Sequence, residues 1–314
     1  MLWLWIGIAL LAVILITLAI AFYCYKRIFY SKERIPLKED EFELPEGEIY
    51  EVFRKEMIDW VKMSRSMPHE DVSVTSFDGL TLRGKYYECQ KGAPIELLFH
   101  GYRGNSERDL SGGIERCFAL QRNALIIDQR ASGRSDGNVI TFGIKERLDC
   151  LKWIEFAIEK FGKDSKIILT GISMGAATVM MAAGEKLPKN VVCVLADCGY
   201  TSPKEIIEKV IRDMKLPAGL VMPFVKLGAR VFGHFNLVET SPMEAVKRTN
   251  IPIIFIHGKS DDFIPWQMSQ RLHDNCNSTK SFTTIPGAGH GLAYPVNKEA
   301  YLQALRDFEK EWKV

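Results

Sequence analysis

Leu169-Thr170-Gly171-Ile172-Ser173-Met174-Gly175-Ala176-Ala177 is the stretch on which the reading of this 314-residue chain turns. An apolar run leads into it and small residues lead out, so Ser173 falls where a strand hands over to a helix. A serine with glycines two positions to either side suits a sharp, strained turn that lifts Oγ clear of a sheet. Larger residues at 171 and 175 would strike the neighbouring strand and helix. The helix N-terminus brings the positive end of its dipole near any oxyanion formed there.

Outward from this turn the chain alternates. Strands are expected at Val72–Phe77 and Leu82–Glu88, around the hairpin signal Asp78-Gly79. Further strands follow at Ile95–Phe99, Ala124–Asp128, Lys166–Thr170, Val191–Ala196, Ile251–Ile256 and Ser281–Ile285. Several are unbroken apolar runs, as in strands buried on both faces of a parallel sheet. Helical spacing marks Lys145–Phe161, Gly175–Glu185, Trp266–Asn275 and Lys298–Trp312. An antiparallel opening followed by strand–helix alternation predicts a mostly parallel α/β sheet covered by helices. Residues 201–245 interrupt the alternation with apolar helical sequence (Met222, Phe224, Phe232, Phe235) broken by Pro217 and Pro223. An insert of this length reads as a small helical cap over the site, with Met222 and Phe224 against substrate. A second membrane contact is the competing reading, although the apolar runs are too short to span.

Four more motifs belong with the turn. His290 lies in Gly287-Ala288-Gly289-His290-Gly291, after the last strand. His257 and Asp261 lie in Ile256-His257-Gly258-Lys259-Ser260-Asp261-Asp262. Leu97-Leu98-Phe99-His100-Gly101-Tyr102-Arg103-Gly104-Asn105 closes the third strand, and Asp128-Gln129-Arg130-Ala131-Ser132-Gly133-Arg134-Ser135 the fourth. With these motifs the chain, from about Asp71 onward, resembles the α/β-hydrolase superfamily. It is most similar to bacterial single-span serine hydrolases with a serine aminopeptidase-like or esterase-like domain.

The resemblance implies an eight-stranded, mostly parallel α/β-hydrolase sheet with helices on both faces. It also implies a triad of Ser173, Asp261 and His290 in the chain order Ser…Asp…His, and oxyanion donors at the backbone N–H groups of Tyr102 and Met174. His257 and His100 take structural places in it. Asp262, the near neighbour of Asp261, and Asp197, at the end of the preceding strand where some relatives carry the acid, stay open as alternatives. Ala131 departs from the family pattern, which commonly has glycine there. Arg103, on the oxyanion loop, is a candidate contact for an anionic part of the substrate.

The N-terminus is of a different kind. Leu2 to Tyr23 carries no charge, and as a helix would measure about 33 Å at ~1.5 Å per residue, enough to cross a hydrocarbon core. Trp3, Trp5, Tyr23 and Tyr25 stand where interfacial aromatics belong. A cleaved signal peptide is the rival, with Ala19-Ile20-Ala21 as a small-residue site, but no Lys or Arg precedes the apolar run. Lys26, Arg27, Lys32 and Arg34 follow the span, which places the catalytic domain on the cytoplasmic side. Residues 1–25 are thus expected as a transmembrane anchor. Residues 26–70 would be a charged tether (Glu39, Asp40, Glu41, Glu43, Glu46, Glu48) with a packing helix at Tyr50–Met63, and 71–314 the hydrolase domain.

Composition narrows the partners. Lys and Arg number 41 against 39 Asp and Glu, a net charge of +2 that gives no reason to expect nucleic acid. Seven cysteines without CxxC or Cys/His spacing read as buried thiols, with no metal site and no cofactor implied. Serine at the turn, where a dehalogenase or epoxide hydrolase would have aspartate, points to acyl transfer. Apolar sequence and the membrane segment suggest a hydrophobic ester or thioester, a small-molecule or lipid-like acyl substrate. A peptidase using Glu205 and Glu208 to hold an amine, an acyltransferase and a non-catalytic scaffold are the other readings. Oligomeric state is not legible here.

Overall fold

A computed structural model describes residues 1–32, 38 and 40–312, with the side chain of residue 312 excepted; Arg34 and Glu39 lie outside the described residues. Eight strands form one sheet: β1 (Glu70–Thr75), β2 (Thr81–Tyr87), β3 (Ile95–Phe99), β4 (Asn123–Asp128), β5 (Ile167–Ile172), β6 (Val191–Asp197), β7 (Ile253–Gly258) and β8 (Lys280–Ile285). Their order across the sheet is β1-β2-β4-β3-β5-β6-β7-β8. β2 pairs antiparallel with β1 and β4, and every other pairing is parallel. The reversal that puts β4 outside β3 leaves the C-terminal ends of β3 and β5 side by side at the centre, the crevice where open α/β sheets hold ligands.

The helices are α1 (Leu2–Ile28), α2 (Glu48–Glu51), α3 (Arg54–Ser66), α4 (Ser106–Ala119), α5 (Glu146–Phe161), α6 (Met174–Ala183), α7 (Pro203–Asp213), α8 (Ala218–Val231), α9 (Pro242–Val246), α10 (Gln267–Asn275), α11 (Ala293–Val296) and α12 (Lys298–Trp312). Alternation along the strands sorts the core. Leu97, Phe99, Leu169 and Val194 face α5, α6 and α10 through Trp153, Ala176 and Leu272. Ile168, Leu195 and Ile254 face the other way, towards Trp60 of α3 and Tyr301 and Leu305 of α12. Leu98 and Ile126 meet Leu110 and Ile114 of α4 on that same face. The eight-stranded α/β-hydrolase sheet expected from the sequence is the observed architecture.

α4 is absent from the pattern read above, because Gly112-Gly113 interrupts its helical signal. Both glycines are packing positions. A Cβ on Gly112 would lie 2.7 Å from the Trp60 ring, and one on Gly113 2.6 Å from Leu98. The expected single helix at Tyr50–Met63 is two pieces, α2 and α3, separated at Val52 and Phe53.

Residues 201–245 fold as helices, but against a different partner from the one expected. α8 lies on the C-terminal part of α1, where Gly228 allows close approach: an added Cβ would sit 2.4 Å from the carbonyl oxygen of Ala21. Met222 and Val225 join Cys24, Tyr25 and Phe29 in one buried cluster, with Phe224 packed against it. By length and apolar composition α1 could cross a membrane or serve as a signal sequence, and most of its first twenty residues are exposed.

Candidate active site

β5 ends at Ile172 and α6 begins at Met174, so Ser173 is the whole connection. It has φ 56° and ψ −113°, a left-handed conformation that costs a non-glycine residue about 1–3 kcal/mol. The flanking glycines show why the turn holds. A Cβ on Gly171 would lie 2.1 Å from the Gly175 carbonyl, and a Cβ on Gly175 would lie 2.0 Å from the carbonyl oxygen of Phe99 at the end of β3. Ser173 N–H donates to the Asp197 carbonyl at 2.9 Å, which ties the turn to β6.

The structure brings Ser173, His290 and Asp261 together from three separate loops. His290 Nε2 lies 3.0 Å from Ser173 Oγ, and its Nδ1 lies 2.7 Å from Asp261 Oδ2. Asp261 Oδ1 accepts from the N–H groups of Phe263 and Ile264, at 3.0 and 2.8 Å. Burial pushes the Asp261 carboxyl up, but hydrogen bonds from His257 and His290 outweigh it and hold the group at about 2. It is therefore a carboxylate at neutral pH and accepts from the Nδ1–H of His290, leaving Nε2 free to accept from the serine hydroxyl.

His257 stands beneath this group. Its Nε2 reaches both Asp261 Oδ2 (3.1 Å) and the carbonyl oxygen of Ile264 (2.9 Å), while Nδ1 contacts Ser269 Oγ (2.7 Å). A carbonyl only accepts, so Nε2 carries the proton and His257 supports Asp261 from below. Of the two alternative acids, Asp197 Oδ2 accepts from the Tyr301 hydroxyl at 2.8 Å, and Asp262 is exposed. Neither contacts His290.

The loop after β3 is held from several sides. Gln129 N–H donates to His100 Nε2 at 3.0 Å, so the proton of this buried histidine is on Nδ1, which donates to the Gly101 carbonyl at 2.8 Å. Gly101 N–H donates to Asp109 Oδ2 at 3.0 Å, and Asp109 is ion-paired with Arg108. This carries Gly101 to the turn at Ser173, where a Cβ on it would lie 3.6 Å from Ser173 Cβ. Tyr102 follows, and Met174, as the first residue of α6, has an N–H with no intrahelical acceptor. Below, Asp128 binds the N–H groups of Ser106 and Arg134, at 2.8 and 3.1 Å. Ala131, where the family commonly has glycine, sits at φ 58°, the backbone region that glycine enters without strain.

A cavity of about 530 Å³ opens at Ser173 and His290. Its walls come from residues 45–50, Met57 and Trp60 of α3, Arg108 and Gly112 of α4, Phe263, Tyr294 and Tyr301. Among the described residues none from 201–245 lines it, so Met222 and Phe224 are not at this cavity. Met222 is buried, and Phe224 half-buried, in the cluster that includes Cys24, Tyr25 and Phe29 at the C-terminal end of α1. Arg103 is also turned elsewhere: its Nη2 donates to the Arg27 carbonyl at 2.8 Å. Glu205 is paired with Arg271, and Glu208 with Lys204 and Arg212.

Sequence reasoning missed the wall made by the N-terminal segment. Tyr50, whose hydroxyl donates to the His290 carbonyl at 3.0 Å, and Trp60 sat in a stretch read as a packing helix. Their amphipathic spacing was the available signal. All seven cysteines are free thiols, six of them buried.

Comparison with known proteins agrees with this architecture. The profile of the prolyl oligopeptidase family, Peptidase_S9, matches residues 141–313. YqkD of Bacillus subtilis, described as uncharacterized, is 27% identical over 187 residues, which are 59% of this chain and 61% of that protein. The chain thus spans about three fifths of that relative. Protein bem46 of Schizosaccharomyces pombe is 26% identical over 254 residues, 78% of each chain. Among solved structures, the Pyrococcus furiosus esterase Pf2001 superposes with a TM-score of 0.64 at 21% identity, covering 91% of this chain and 99% of that one. At that identity the likeness speaks to the fold. The matched profile covers more than half of the chain, from β5 to β8 with α5 and the later helices, and the chain therefore belongs to the prolyl oligopeptidase family, within the α/β-hydrolase superfamily of serine hydrolases.

Proposed function

We propose that this hydrolase cleaves an ester or thioester of a hydrophobic acyl substrate through an acyl-enzyme on Ser173. The observation that carries the reading is the continuous chain from Ser173 Oγ to His290 Nε2 at 3.0 Å and from His290 Nδ1 to Asp261 Oδ2 at 2.7 Å. His290 takes the hydroxyl proton as Oγ attacks the acyl carbon, and Asp261 orients the ring and stabilises its protonated form. The backbone N–H groups of Tyr102 and Met174 receive the developing oxyanion. His290 then returns the proton to the leaving alcohol or thiol. Water, deprotonated by the same ring, attacks the acyl-enzyme and frees the acid. The apolar walls at Ile49, Met57, Trp60 and Phe263 favour an acyl chain.

The family match favours a second reading, a peptidase on the same triad. A fluorophosphonate probe tests the nucleophile: labelling of the wild-type protein should disappear in Ser173→Ala. Turnover of a panel of esters, thioesters and aminoacyl amides then separates the two readings, and a preference for the amides would displace the first.

We read residues 1–25 as an uncleaved anchor, joined through 26–70 to a hydrolase unit at 71–314, with that unit on the cytoplasmic side. Retention is supported by the burial of Ala21 where Gly228 of α8 approaches its carbonyl, a contact that cleavage after Ala21 would forfeit. The basic residues just after the span support the orientation. Protease added to sealed vesicles should leave the hydrolase unit intact, and cleavage from outside would reverse the orientation.

A further inference from the structure

The cavity at Ser173 does not end at the nucleophile turn. Ile172 and Thr170, two residues apart on β5, both line it, as does Leu98, the register partner of Thr170 on β3. It therefore descends the sheet face covered by α4 and α12. Its floor is polar, built from Thr170, Arg116, Asp197 and Tyr301.

Two atoms of that floor are buried with no hydrogen-bond partner among the described residues, Arg116 Nε and Asp197 Oδ1. Their residues are 4% and 3% exposed. Other atoms of the same groups are engaged. Arg116 Nη2 binds Glu96, and Asp197 Oδ2 accepts from Tyr301 at 2.8 Å. Buried polar atoms are almost always matched, so a polar group brought to this floor is favoured and its lack is felt.

Charge decides which group. Glu96 lies between Arg116 and Arg122, and Arg122 also pairs with Glu309, so two guanidinium groups already face two carboxylates without counting Asp197. A carboxylate delivered here would meet Asp197 with no spare cation. A plain alkyl end would leave both polar atoms unmatched. A neutral hydroxyl suits both atoms, being able to accept from Arg116 Nε–H and to donate to Asp197 Oδ1. An oxo oxygen likewise accepts from Arg116 Nε–H, and burial, which pushes the Asp197 carboxyl up, lessens the repulsion it meets there.

We propose that this floor reads an oxygen on the acyl chain, so that the enzyme prefers hydroxy- or oxo-acyl esters to plain esters of the same length. The inference rests on Ser173 being the nucleophile that the cavity serves. Full-length protein in detergent would be given p-nitrophenyl esters in a chain-length series, each plain and each with a hydroxyl or oxo group near its end. The readout is the ratio of kcat/KM, oxygenated over plain. At the length that reaches the floor the wild-type ratio should be about tenfold. Asp197→Leu should bring it to one or below, and Asp197→Asn, which still offers hydrogen bonds, should keep most of it.

A ratio near one at every length in the wild type overturns the proposal, as would happen if water alone fills the floor. So does a tenfold ratio that Asp197→Leu leaves untouched. Should the leucine variant fail to fold, the wild-type ratio still decides. Fluorophosphonate labelling on the same samples separates the two levels. Labelling of Ser173 with a flat ratio strikes the floor alone, whereas absent labelling of the folded wild type removes the nucleophile on which the floor depends.

Discussion

The hydroxyl of Tyr102 donates to the main-chain carbonyl of Ile28 at 2.7 Å, so the loop after β3 is fastened to the last turn of α1. Arg103 adds a second tie to the Arg27 carbonyl at 2.8 Å. The last carbonyls of a helix have no intrahelical partner, and here the residue proposed as an oxyanion donor supplies one. The N-terminal helix is thereby linked mechanically to the loop beside Ser173. Tyr102→Phe keeps the main-chain N–H and removes the tie. Stability should fall by about 0.5–1.5 kcal/mol in chemical denaturation. The value of kcat should drop by up to about tenfold as the loop loosens, with KM changing less.

The three aspartates near the site are distinguishable by substitution. Asp261→Asn should lower kcat by on the order of 10⁴-fold, because an amide beside Nδ1 no longer holds the ring in the required tautomer. Asp262→Asn, with its exposed side chain, and Asp197→Asn, whose side chain faces Tyr301, should cost far less against plain esters. Near-normal turnover in Asp261→Asn would remove it as the acid.

Small changes at the turn should be large in effect. Gly175→Ala places a methyl group 2.0 Å from the Phe99 carbonyl oxygen, and Gly171→Ala places one 2.1 Å from the Gly175 carbonyl. Backbone on both sides cannot yield as a flexible side chain would. Each variant should lose about 3 kcal/mol or more, seen as a lower melting temperature or insoluble expression.

Gly228→Val tests the contact between α1 and α8, since its Cβ would press 2.4 Å from the Ala21 carbonyl oxygen. Hydrogen exchange in nanodiscs should quicken in the last turns of α1 and in α8, with the central strands unchanged. Uniform exchange in both proteins would show that the contact contributes nothing local.

Acid should destabilise the fold in a defined window. Burial pushes Asp261 and Glu96 up, but hydrogen bonds from His257 and His290 to the first, and Arg116 and Arg122 beside the second, hold both at about 2. An unfolded carboxyl titrates near ~4. Because the folded values are the lower ones, the stabilisation is present above that range and is lost as pH falls from about 4 towards 2. Melting temperature across this range should decline, and Asp261→Asn should flatten part of the decline.

Much of the site is legible in residue order because its chemistry demands particular backbone. Gly171 and Gly175 are spelled out beside Ser173, as no side chain fits either place. His290 and Asp261 follow in the order and loop types expected of the family. The strands read clearly since burial on both faces requires unbroken apolar runs, as at Ile253–Ile256. α4 did not, because its Gly112-Gly113 serves Trp60 and Leu98, partners distant in sequence.

The sequence by itself determined the alternation of strand and helix, the position of the sharp turn, and the loops that carry Ser173, Asp261 and His290. Only the tertiary structure decided what covers what. It set Met222 and Phe224 against the N-terminal helix, the segment around Tyr50 and Trp60 along the cavity, and Asp197 with Arg116 at its floor. The reason is that apolar burial has no direction. A greasy helix face records that it must be covered, while the covering partner is settled by which surfaces the folded sheet leaves within reach.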